Sequence, residues 1–137
     1  NCGNHGCLEQ MASATGIVRL ARIELEKSPD ASVLRDGELS AKSIFDAFKA
    51  GDSLAAKIVD RFAEYLGHAM AFMSAVVDPE VFVIGGGVSK AGEVLVESVK
   101  KYYQRDAFTA CKDTPIVLAK LGNDAGIYGA AKLALEA

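Results

Sequence analysis

The chemistry-bearing residues of this chain crowd its first ten positions, NCGNHGCLEQ, with Cys2, His5, Cys7 and Glu9 spaced by Gly3 and Gly6. Thiolates with four residues between them could grip a soft cation. A structural zinc takes four such ligands, and Cys2 with Cys7 make only two. His5 is a third candidate, and Cys111 stands far downstream. The same residues could equally be two thiols or a disulfide pair. Glu9 could also be a first-turn acid placed to suit a helix dipole.

Two glycine-rich stretches form the second group. VIGGGVS at residues 83–89 ends an apolar, β-branched run, and LGNDAGIYGAA at 121–131 follows another. Glycines where a strand turns into a helix let the backbone bend sharply and let a ligand approach closely. In open α/β sheets, ligands bind beyond the carboxyl ends of strands, beside helix N-termini that favour anions. Neither stretch is a G-x-G-x-x-G or a P-loop. A tight turn without ligand is the alternative for each, and capping is the alternative for Asp124.

The elements that must carry these residues can be read from periodicity. A short turn is expected at Leu8–Met11. A helix follows with Thr15 as its N-cap and Ile17, Leu20, Ala21 and Ile23 as its apolar stripe. SPDASVLRDGELS reads as a loop. Ser40 starts a short helix stopped by Gly51. Asp52 or Ser53 caps a long one, whose end AMAFMSAVV is apolar nearly all round and so is expected to be buried on most sides. Asp78-Pro79 breaks it. Val81–Ile84 reads as a strand buried on both faces. A helix to about Tyr103, a second strand in TPIVLAKLG and a last, closely packed helix capped by Asn123 or Asp124 complete the chain. Strands alternating with helices predict an α/β fold with a parallel sheet. Two strands are too few to stand alone, so the rest of the sheet is expected from sequence upstream or from another chain.

The 137 residues suit one domain, and a net charge of -3 offers no field for nucleic acid or an anionic membrane. No apolar stretch is long enough to span a bilayer. Three cysteines fit a reducing, cytoplasmic compartment better than a disulfide framework. A start at Asn1 without Met or signal peptide suggests a piece of a longer protein. His68 reads as a packed or surface histidine, Tyr102 and Tyr103 as cover for the sheet's flank, and Lys100-Lys101 as a solvated helix face.

NCGNHGCLE resembles the signature of the ROK (repressor, open reading frame, kinase) family, C-x-C-G-x-x-G-C-x-E, with the first cysteine removed. Cys2, Gly3, Gly6, Cys7 and Glu9 match it in order. VIGGGVS and LGNDAGIYGAA are similar to the family's two later glycine segments, and LEQMASATGIVRLA is most like its bacterial ATP-dependent glucokinases. The resemblance implies an actin-like, ribonuclease H-like kinase of two lobes, of which residues 1–137 would be a C-terminal lobe segment with an incomplete parallel sheet and flanking helices. It implies a structural zinc held by Cys2, Cys7 and two ligands upstream, with His5 in a variable position. It implies that Glu9 accepts hydrogen bonds from sugar hydroxyls, as a carboxylate can from two donors. Gly85, Gly86, Gly87 and Val88 would line the ATP pocket, with Gly122 and the start of the last helix as its opposite wall. The γ-phosphoryl group of ATP, with Mg²⁺, would pass to the 6-hydroxyl of glucose. The family's catalytic aspartate matches no residue here, neither Asp78 nor Asp124, so the chain alone is expected to be inactive. A homodimer or higher state is expected from the open sheet edge and the long helix's apolar face. The alternatives are the sugar-sensing domain of a ROK repressor, a ROK kinase for N-acetylmannosamine, N-acetylglucosamine or fructose, and a stand-alone module with no activity.

Overall fold

A computed structural model describes residues 3–136, Asn123 through its backbone alone. It begins with the single turn α1 (Leu8–Met11), which leads directly into α2 (Ala14–Lys27). The cap of α2 is Ser13 and not the expected Thr15. Ser13 has the extended backbone a cap requires, and its hydroxyl accepts from the Gly16 N–H at 3.0 Å. Thr15 is already inside the first turn. Gly16 is needed for the α1–α2 approach, since a Cβ there would lie 2.8 Å from the backbone of Met11.

The polar loop that follows contains a 3₁₀ turn at Val33–Arg35 that drops Leu34 into the core. Arg35 ties this loop down by donating to the carbonyls of Leu25, Ser28 and Asp30. Ser40 and Ser43 form a reciprocal capping box on α3 (Ala41–Lys49), and Gly51 at φ +87 ends that helix as expected. Asp52 then caps α4 (Ser53–Val77), its carboxylate accepting from the Leu54 and Ala55 N–H groups, each at 2.9 Å.

Helix α4 is the spine. Its inner face (Leu54, Ile58, Val59, Phe62 and Met70) is buried against α1, α2, α3 and α5 (Glu93–Asp106). Strands β1 (Phe82–Ile84) and β2 (Ile116–Leu118) pair in parallel, Phe82 opposite Ile116 and Ile84 opposite Leu118. Phe82 meets the buried Tyr103 of α5 edge-on, ring centres 5.6 Å apart, so Tyr103 does cover the sheet. Tyr102 instead faces the α4–α5 seam, with the Lys101 and Arg105 cations over its ring.

Three burial expectations are corrected. The strands are covered on one face only: Val83, expected inside, is 60% exposed beside Val117. The end of α4 is buried only where it meets its neighbours, at Met70, Ala71 and Ser74, while Phe72 and Val76 are 64% and 83% exposed. The last helix, α6 (Ala125–Glu136), was expected to pack closely and buries no side chain among the described residues. One layer of helices against two strands offers one covered face to each, and the remaining apolar faces find nothing among the described residues to lie on. No helix there is long and apolar enough to cross a membrane.

Candidate functional site

At the carboxyl end of β1 the chain turns through Gly85 and Gly86 into a 3₁₀ turn, Gly87–Ala91. Gly86 has φ +75 and ψ -164, a conformation that side chains disfavour. The Ser89 N–H and hydroxyl both donate back to the Gly86 carbonyl, at 3.2 and 2.8 Å, which closes the turn. Beside it, Ala119 donates to the Ile84 carbonyl at 2.9 Å, and a Cβ on Gly85 would meet that of Ala119 at 3.4 Å. Strand β2 leads into a second 3₁₀ turn, Gly122–Asp124, with Gly122 at φ +54, and this turn rests against the first. The fold thus brings Gly85, Gly86, Gly87, Val88 and Gly122 to one corner, beyond the carboxyl ends of both strands.

A cavity of about 160 Å³ opens beside Gly87, between that turn and α3. Phe45, Val88 and Ala91 are its buried apolar lining, and Lys42, Lys49 and Lys90 stand on its rim. Lys42 is held by Asp46 at 2.5 Å, and that hydrogen bond, against a smaller opposing effect of burial, keeps the Asp46 carboxyl below its usual range. An apolar lining with cations at the rim suits a flat ring bearing phosphates. The α3 wall was not singled out in the sequence. Its signal was available, because Lys42 and Lys49 lie two helical turns apart and so share a face with Phe45.

The second cavity, open and about 370 Å³, is lined by Glu9, Gln10, Thr15, Gly16 and Arg19. Thr15 donates to Glu9 Oε1 at 3.5 Å, and Arg19 to Gln10 Oε1 at 3.4 Å. Carboxylate and amide acceptors beside hydroxyl and guanidinium donors form a set that complements a polyol. The two cavities have separate linings, and the start of α2 lies between a residue of one and a residue of the other. A Cβ on Gly87 would sit 3.3 Å from that of Ala14, so the glycine turn leans on the first residue of α2. The next residue, Thr15, reaches Glu9.

Of the expected metal ligands, Cys2 lies outside the described residues, and Cys7 is half-buried at the start of α1. Among the described residues no three His, Cys, Asp or Glu side chains converge, so these residues do not by themselves fit a zinc centre. Asp78 ends α4 with a left-handed backbone and receives the Cys111 thiol at 3.7 Å, a structural place. His68 sits on the α4–α5 seam, 3.1 Å from Asp106.

The family model described as ROK matches residues 1–137. The glucokinase of Halalkalibacterium halodurans is 42% identical over 134 residues, which are 94% of this chain and 41% of that protein. The DNA-binding transcriptional repressor Mlc of Escherichia coli is 34% identical over 109 residues, 80% of this chain and 27% of the repressor. A ROK family glucokinase from Streptomyces griseus, solved in complex with glucose and AMPPNP, superposes with a TM-score of 0.87 at 32% identity, over 99% of this chain and 46% of that one. The chain therefore spans less than half the length of the relatives it matches. Its two-stranded parallel sheet with flanking helices has the fold of the corresponding part of these proteins, and with the family match running from first residue to last, the chain belongs to the ROK family.

Proposed function

We propose that this chain is the C-terminal sugar- and nucleotide-binding segment of a homodimeric kinase that passes the γ-phosphoryl group of ATP to the 6-hydroxyl of glucose. The observation that carries the reading is the closeness of the two sites at the start of α2: Gly87 of the glycine corner lies against Ala14, and the next residue, Thr15, is 3.5 Å from Glu9 Oε1. Phosphoryl transfer is mostly positioning and charge stabilisation, so donor and acceptor sites must lie against each other. In this reading the Glu9 carboxylate accepts from sugar hydroxyls. The backbone of Gly85–Val88 and Gly122 admits the nucleotide, and Lys42, Lys49 and Lys90 face its anionic end. Mg²⁺ bound with ATP neutralises charge on the phosphates. The base that takes the hydroxyl proton comes from residues outside this chain, and the chain alone is inactive.

A second reading, the sugar-sensing part of a repressor, is favoured by the similarity to Mlc. The lysine-rimmed cavity at the glycine corner supports the kinase, since cations around an apolar cleft suit a nucleotide's phosphates and ring. The test is Glu9→Gln in the full-length protein encoded with this chain. It keeps the shape and removes a charged acceptor, so the KM for glucose is expected to rise about tenfold to a hundredfold while that for ATP stays put. An unchanged glucose KM sinks the assignment of Glu9. Glucose binding without any ATP-dependent phosphorylation by the wild type selects the repressor, and ranking kcat/KM over glucose, fructose, N-acetylglucosamine and N-acetylmannosamine decides the sugar.

A further inference from the structure

We infer that Thr15 is a positioning residue for Glu9, the last member of a one-way hydrogen-bond relay that starts at the N-terminus of α2. The inference rests on Glu9 being the sugar-contacting carboxylate. The Gly16 N–H donates to Ser13 Oγ at 3.0 Å, Ser13 Oγ and Thr15 Oγ1 are 2.9 Å apart, and Thr15 Oγ1 is 3.5 Å from Glu9 Oε1. An ionised carboxylate only accepts, so the Thr15 proton points to Glu9. That leaves Thr15 Oγ1 as the acceptor of the Ser13 proton. Ser13 in turn has its lone pair on the Gly16 N–H. Every donor therefore points from the helix towards the carboxylate, an order in which neighbouring bonds polarise one another.

Capping does not explain Thr15. Ser13 alone satisfies the Gly16 N–H, and the Thr15 side chain is exposed on the wall of the Glu9 cavity. What the Thr15 hydroxyl does is hold one carboxylate oxygen from the helix side and so set the plane in which Glu9 meets the cavity. A carboxylate held before the sugar arrives loses less freedom on binding.

The test uses Thr15→Val and Thr15→Ser in the full-length protein, beside Glu9→Gln. Val keeps the branched shape and removes the donor; Ser returns the donor without the methyl. Thr15→Val is expected to raise the glucose KM about fivefold, the loss of one modest hydrogen bond, with kcat and the ATP KM within about twofold. Thr15→Ser is expected to restore the glucose KM, and the melting temperature of both variants to stay within about 1 °C of wild type, because the cap is intact. If Glu9→Gln raises the glucose KM and Thr15→Val does not, the positioning role is wrong and the sugar assignment stands. If Glu9→Gln itself leaves the glucose KM unchanged, the underlying reading fails. Parallel rises in both KM values, or a fall in melting temperature with no rescue by Ser, mean a structural role and overturn the inference.

Discussion

Asp106 illustrates how much a residue's neighbours decide about it. Arg105 Nε and Nη2 grip its two oxygens at 2.6 and 2.8 Å, and His68 Nδ1 adds a contact at 3.1 Å. The Arg105 hydrogen bonds, opposed by burial and supplemented by His68, bring its carboxyl down to about 2. Its folded value lies below its unfolded one, near 4. The stability it contributes is therefore complete above about pH 4 and is lost as pH falls towards 2. Asp106→Asn is expected to flatten the dependence of the urea midpoint on pH across that window, and an unaltered slope would contradict it. In the sequence, Arg105-Asp106 is an ordinary charged pair near a helix end. Likewise Ser13 and Thr15 offer the same hydroxyl chemistry. Only the backbone angles made one the cap and left the other to face Glu9.

Between elements, the contact that organises the molecule is α4 on α5, and Gly67 makes it possible. A Cβ at Gly67 would lie 2.8 Å from Tyr102 Cβ, Tyr103 N and Val99 O. In an isolated helix, Gly→Ala gains up to about 1 kcal/mol. Here the added methyl pushes against backbone, and overpacking of this kind costs about 1–3 kcal/mol. Gly67→Ala is expected to lower stability by about that amount in urea unfolding, and a stabilised variant would show that α5 does not lie this close. The helix itself was legible from its period, with Asp52 and Gly51 marking its start correctly. The role of Gly67 was not, because nothing in α4 records the backbone of α5 across from it.

At the scale of the whole molecule, apolar surface is left over. Val83 and Val117 form the uncovered face of the sheet, Phe72 and Val76 the outer stripe of α4, and α6 exposes Ile127, Leu133 and Leu135. Exposed apolar faces of this kind are surfaces on which another part of the protein or a second copy can pack. Under the homodimer proposed above, the full-length protein is expected to sediment as a dimer or larger at micromolar concentration. Phe72→Lys with Val76→Lys is expected to shift it to a monomer if the outer stripe of α4 is the seam. A wild-type monomer would end that proposal, and a double variant still dimeric would move the seam to the sheet edge.

The sequence by itself determined the order of helices and strands, the parallel pairing, most helix ends and the glycine corners, because periodicity, caps and φ-demanding turns are local. It also carried the family, through the spacing of Cys2, Gly3, Gly6, Cys7 and Glu9. Only the tertiary structure decided which apolar faces are covered, since burial depends on what lies opposite and not on the hydrophobicity of the stretch. It alone placed Gly87 against Ala14 and turned α3 into a wall of the glycine corner. Those contacts join residues dozens of positions apart, and packing has no period that a single strand of letters could display.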